Sequence, residues 1–161
     1  MAELQEVMAY LCDKYPIKSE LSKARLTKMI YLGDWRMALT EKRQITNLVW
    51  IFNHYGPYLK DVPNEAERNP RFEIRHDTNF YGSTKEIIRL RMEPKAYKLL
   101  RSERAALDHV IEQTKPLTWQ PFINLVYSTY PIATQPRYQE LDLVALAKSY
   151  RKQQKAVVSS S

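Results

Sequence analysis

Glycine is scarce in this chain, with three residues in 161. A Gly-rich loop that cradles phosphate needs several clustered glycines, so that class of nucleotide site is excluded. Cysteine is scarcer still. Cys12 stands alone, so no internal disulfide forms. It lies in the apolar run AYLC, where a small buried hydrophobe is expected and a reactive thiolate is costly. Long apolar runs are missing too: the longest, VMAYLC over 7–12, has 6 residues, against the ~20 that cross a bilayer. With one cysteine and no signal-peptide pattern, the cytoplasm is the expected compartment. His54, His76 and His109 stand at no metal-ligand spacing with one another or with Cys12, and there is no GxSxG. Neither an enzyme nor a metal or cofactor site is expected.

Positive charge and aromatic side chains are what the chain has. The net charge of +7 admits nucleic acid or an acidic protein as partner. Arg89 and Arg91 share a strand face, and Lys95, Lys98, Arg101 and Arg104 follow at intervals of three on the helix expected next. No aromatic residue interleaves this stripe, as single-strand binding would require. An ordinary solvated face explains it. Lys148, Arg151, Lys152 and Lys155 read as solubility. Eleven tyrosines and three tryptophans point to aromatic packing or an aromatic binding face. A chain of this length makes one domain without disulfide help.

The apolar pattern predicts an α+β fold: a mostly helical single domain over 3–154 with a small antiparallel sheet of two or three strands. A first helix covers 3–13 and ends at Tyr15-Pro16. Ser19 is expected to cap a second helix running to about Leu39. That helix carries Leu26, Met29, Ile30, Gly33 and Met37 on one face and Tyr31 and Trp35 on another, so it should be central. Residues 45–55 read as a strand and 58–69 as a short crossing. Residues 71–76 and 86–92 alternate as strands, with Phe72, Ile74 and His76 sharing one face and Ile88, Leu90 and Met92 inward, joined by turn residues over 77–84. Pro94 is expected to start a helix reaching Thr114, with Ala96, Leu99, Leu100 and Leu107 on its inner stripe. Thr118 caps the next helix, Pro131 follows its end, and a last helix covers 139–154. Residues 155–161 are expected to be disordered.

One stretch asks for more than a fold. Residues 50–58 read WIFNHYGPY, and one of the three glycines sits before a proline and between two tyrosines. Structurally, Gly56 permits a sharp turn and Pro57 fixes φ. Taken with Leu26-Thr27-Lys28-Met29-Ile30-Tyr31-Leu32-Gly33-Asp34, this corner resembles the Panacea domain, the SocA-like antitoxin family. There an L-x-K-hydrophobic-hydrophobic-Y-L-x-D helix precedes a strand, aromatic, Gly-Pro, aromatic corner. The likeness covers roughly residues 3–150. At Ser128-Thr129-Tyr130-Pro131 the chain departs from the polar or His-containing position usual in the family, and no site is carried over there.

The resemblance implies an antitoxin that neutralises a toxin protein from an adjacent gene, by direct stoichiometric binding and without a cofactor, often in phages, prophages and mobile elements. No DNA-binding appendage is expected. Tyr31, Asp34, Trp35, His54, Tyr55 and Tyr58 are the expected partner-binding residues, since aromatic anchors supply large contact area. Leu26, Lys28, Met29, Gly56 and Pro57 are expected to keep the fold. The alternatives are a basic nucleic-acid-binding regulator, or an adaptor that delivers a toxin to a protease through a loose tail.

Overall fold

The computed structural model describes residues 1–78, 82 and 84–160, the last two of these by backbone only. Helix α1 (Leu4–Lys14) buries Val7, Met8 and Leu11 and stops where Tyr15, ahead of Pro16, turns extended. A short 3₁₀ turn over Lys18–Glu20 follows. Helix α2 (Lys23–Glu41) begins three residues later than Ser19 predicts. Ser22 is the cap, and its Oγ accepts from the Arg25 N–H at 3.1 Å. From Arg25 to Trp35 every residue of α2 is buried, so the helix is central, as its two apolar faces predict.

Strands β1 (Trp50–Asn53) and β2 (Gly56–Tyr58) form a hairpin around His54 and Tyr55. Helix α3 (Asp61–Arg68) is the expected crossing. Strands β3 (Phe72–Thr78) and β4 (Thr84–Leu90) pair antiparallel with Phe72 opposite Leu90 and Ile74 opposite Ile88. Of the expected turn, Asn79, Phe80, Tyr81 and Ser83 lie outside the described residues. Helices α4 (Arg101–Thr114), α5 (Trp119–Ser128) and α6 (Tyr130–Thr134) come next. Strand β5 (Gln139–Leu141) and helix α7 (Leu143–Ser160) complete the chain. The result is an α+β domain with two antiparallel sheets, β2-β1-β5 and β3-β4, around a helical centre. Among the described residues no helix is long and apolar enough to cross a membrane.

Helices α4 and α7 pack along α2. Gly33 lets α4 come close: a Cβ there would stand 3.1 Å from Leu107 Cδ2 and 3.4 Å from Ile45 Cδ1. Leu26 and Met29 have no exposed surface and lie in the core.

Several expected boundaries move, each for a visible reason. Residues 45–49 are not strand, because the N–H groups of Ile45 and Thr46 turn to a side chain of α2 instead of to a neighbouring strand. The helix expected from Pro94 starts only at Arg101. The preceding segment is tied to α1, through the Lys98 N–H to Glu6 Oε1 at 2.8 Å and the Tyr97 hydroxyl to the Asp13 carboxylate. Glu103 then accepts from the Leu100 N–H at 2.7 Å, closing the helix start. Ala96, Leu100 and Met92 are consequently exposed rather than inward. Lys95 and Lys98 precede the helix, so the stripe from Arg89 to Arg104 is not one helix face, and Arg91 pairs with Glu73 at 3.7 Å. Pro131 follows the end of α5 at Ser128, as expected, and also stands in the first turn of α6, a short helix that the pattern does not predict. Residues 139–141 join β1 as a strand, and α7 then runs to Ser160, past the expected end at 154. No glycine or proline interrupts it.

Candidate partner-binding site: the aromatic hairpin face

The alternation of β1 sorts its side chains. Trp50 and Phe52 point inward and are buried, while Ile51 and Asn53 point outward. Beneath the sheet, Trp50 meets the Tyr31 ring edge-on at 5.6 Å and Phe52 meets Tyr127 at 6.5 Å. The Arg137 guanidinium lies 5.2 Å from the centre of the Phe52 ring.

Asp34 locks this layer to α2. Its carboxylate has no exposed surface and accepts from the Ile45 N–H at 2.9 Å, the Thr46 N–H at 3.0 Å, the Thr46 hydroxyl at 2.6 Å and the Trp50 indole N–H at 2.9 Å. Burial pushes its carboxyl up to about 6, against the pull of the Thr46, Trp50 and Ile45 donors. The hub sets the path of residues 45–50 and so the entry angle of the hairpin.

The outward side is apolar and open. Ile51 lies opposite Tyr58 on one neighbour strand and Glu140 on the other. Ile51 and Tyr58 keep 40% and 36% of their surface exposed, and Val49, two residues before Ile51, keeps 55%. At the turn Tyr55 is 76% exposed and stacks edge-on with His54 at 4.6 Å. His54 Nδ1 is 3.4 Å from the hydroxyl of Tyr138, which is itself 68% exposed. Tyr138 has φ 67°, and its N–H donates to the Phe52 carbonyl at 2.5 Å. Gly56 has φ 97°, the left-handed region that favours glycine, and Pro57 is buried behind it. Exposed apolar side chains scattered singly need no explanation, but five of them converging on one small sheet do.

The expected partner-binding residues therefore divide. His54, Tyr55 and Tyr58 are all exposed on the hairpin, His54 and Tyr55 at its turn and Tyr58 on the outer side opposite Ile51. Tyr31, Asp34 and Trp35 do not join them: a side chain inside the folded domain offers no contact surface. The Tyr31 hydroxyl is paired with Thr129 Oγ1 at 2.8 Å, Asp34 is the hub, and Trp35 meets Tyr150 edge-on at 6.2 Å. Lys28 is buried too, and loss of hydration lowers its ammonium pKa. Sequence reasoning missed Val49, Ile51 and Tyr138. The alternation V-W-I-F-N carries the signal for the first two. Tyr138 has none, because its neighbours read as helix. Away from this face, burial pushes the Cys12 thiol up to about 12, which disfavours a nucleophilic thiolate.

The sequence profile of the SocA-like antitoxins, Panacea domain, matches residues 26–131, about two thirds of the chain. The chain belongs to this family. No curated protein and no solved structure shows significant similarity to it. The Panacea match opens on Leu26 in α2 and closes on Pro131 in α6, so it contains the Asp34 hub, its donors and the hairpin. Helix α1, strand β5 and helix α7 lie outside the matched span, and all but β5 pack on α2.

Proposed function

We propose that this Panacea domain neutralises a cognate protein toxin by direct, stoichiometric binding through the outer face of the hairpin. The observation that carries the reading is the cluster of Ile51, Tyr55 and Tyr58 on a sheet that a buried hub ties to the central helix. Aromatic and branched side chains held rigidly lose little entropy on binding, and they offer large area to a partner. Membership in an antitoxin family supports a toxin as that partner. Neutralisation arises by occlusion of the toxin's active site or substrate path and requires no cofactor.

The test starts from the neighbouring reading frame. Its product, expressed alone, should arrest growth, and co-expression with this chain should restore it. The two purified proteins should form a complex of fixed stoichiometry and lose the toxic activity in vitro without any protease present. Rescue in cells without complex formation in vitro would remove direct binding. A neighbour that is harmless would remove the antitoxin reading.

A further inference from the structure

A second concave surface lies between the C-terminal end of α2 and one side of α7, with a volume of about 620 Å³. Lys42 forms one wall. Lys148, Lys152 and Lys155 line the other at i, i+4 and i+7, one helix face over about 10 Å. Arg151 fixes the floor: its Nη1 donates to the carbonyls of Ala38 and Leu39 at 2.9 and 3.0 Å, capping the end of α2. The one lining carboxylate, Asp142, accepts the Ala145 N–H at 3.1 Å and so caps the start of α7. Among the described residues, Lys42, Lys148 and Lys152 form no ion pair. Ammonium groups converging on one trough repel one another until an anion enters.

We infer that this trough receives a carboxylate-bearing segment of the protein partner, as a second contact beside the hairpin face. The inference rests on the reading that the chain binds a protein. Three observations favour an acidic protein segment over nucleic acid. Val144, 39% exposed, and Ala145 make one end of the trough apolar, and a phosphate backbone has nothing to place there. No aromatic side chain lines it, so it has no stacking platform for bases. Glu140, opposite Ile51 on the hairpin sheet, is two residues from Asp142, so a partner seated on the sheet reaches the trough without a long bridge.

The experiment measures association and dissociation of the purified product of the neighbouring reading frame, at low and high salt, with wild type, K148E/K152E, K148R/K152R and Y55A/Y58A. Lys148 and Lys152 are exposed, so the charge variants should melt like wild type, and K148Q/K152Q replaces the reversal if it does not. The reversal should slow association about tenfold or more at low salt, with the gap closing at high salt, while the arginine pair retains the wild-type rate. Y55A/Y58A should act mainly on dissociation. Unchanged kinetics in K148E/K152E overturn the trough and leave the antitoxin reading standing. No binding by wild type overturns both. A 20-base-pair duplex bound with steep salt dependence by wild type, and not by K148E/K152E, overturns the acidic segment in favour of nucleic acid.

Discussion

The indole N–H of Trp50 donates to Asp34 Oδ2 at 2.9 Å, and neither residue has exposed surface. Sixteen residues apart in the chain, they join α2 to the hairpin inside the span that matches the Panacea domain. A buried tryptophan needs an acceptor and a buried carboxylate needs donors, and each answers the other.

Removing the acceptor should cost more than removing one donor. Asp34→Ala leaves the Ile45 and Thr46 N–H groups and the Trp50 indole buried without partners, which should lower stability by at least about 3 kcal/mol. Trp50→Phe deletes one donor and should cost about 1–2 kcal/mol beyond any change in packing. Denaturant titration of both variants checks the order. Equal melting of Asp34→Ala and wild type would show that the hub does not hold the hairpin.

The same carboxyl makes a pH prediction. Its folded value of about 6 lies above the ordinary 3.8, so the folded state keeps a proton that the unfolded chain releases between those values. Asp34 therefore favours the fold increasingly as pH falls through 6, by roughly 3 kcal/mol in all, and the gain is complete below the unfolded value. Carbon-13 titration of the Asp34 carboxyl should show a midpoint near 6. A midpoint below 4 would mean that the donors outweigh burial.

Gly56 is tested by its backbone. The atoms nearest to a Cβ there would be those of the Tyr127 ring and hydroxyl, from 3.5 Å, which is ordinary contact, so the cost comes from φ 97° and not from crowding. Gly56→Val should lose about 1–3 kcal/mol. An unchanged melting temperature would show that the turn relaxes to another conformation.

In the core, Leu26→Asp and Met29→Asp each put an unpaired charge where no surface is exposed, and should abolish folding. Either variant melting like wild type would misplace α2.

The last prediction concerns the hairpin face. Tyr55→Ala with Tyr58→Ala should leave the circular dichroism and melting curve near wild type, since both side chains are exposed, and should weaken toxin rescue. Truncated hot-spot aromatics often cost about 2 kcal/mol of binding. Full rescue by a folded double variant would move the binding face elsewhere.

Local pattern determined much of this protein. Two-faced periodicity marks α2 as central, alternation yields β3 and β4, and Gly56-Pro57 between tyrosines announces a turn. These signals are short-range, set by the 3.6- and 2-residue periods and by φ preferences. The tertiary structure decided the rest. Residues 45–49 look like strand until Asp34 takes their N–H groups. Residues 139–141 look helical until β1 offers them an edge. Tyr31 and Trp35 look like the same kind of anchor as Tyr55 and Tyr58. Helix periodicity shows that two faces of α2 are apolar, and only the packing of α4 and α7 along it and of Trp50 against Tyr31 closes both over. Which tyrosine faces water depends on what packs over it from distant parts of the chain, and no local spacing carries that information.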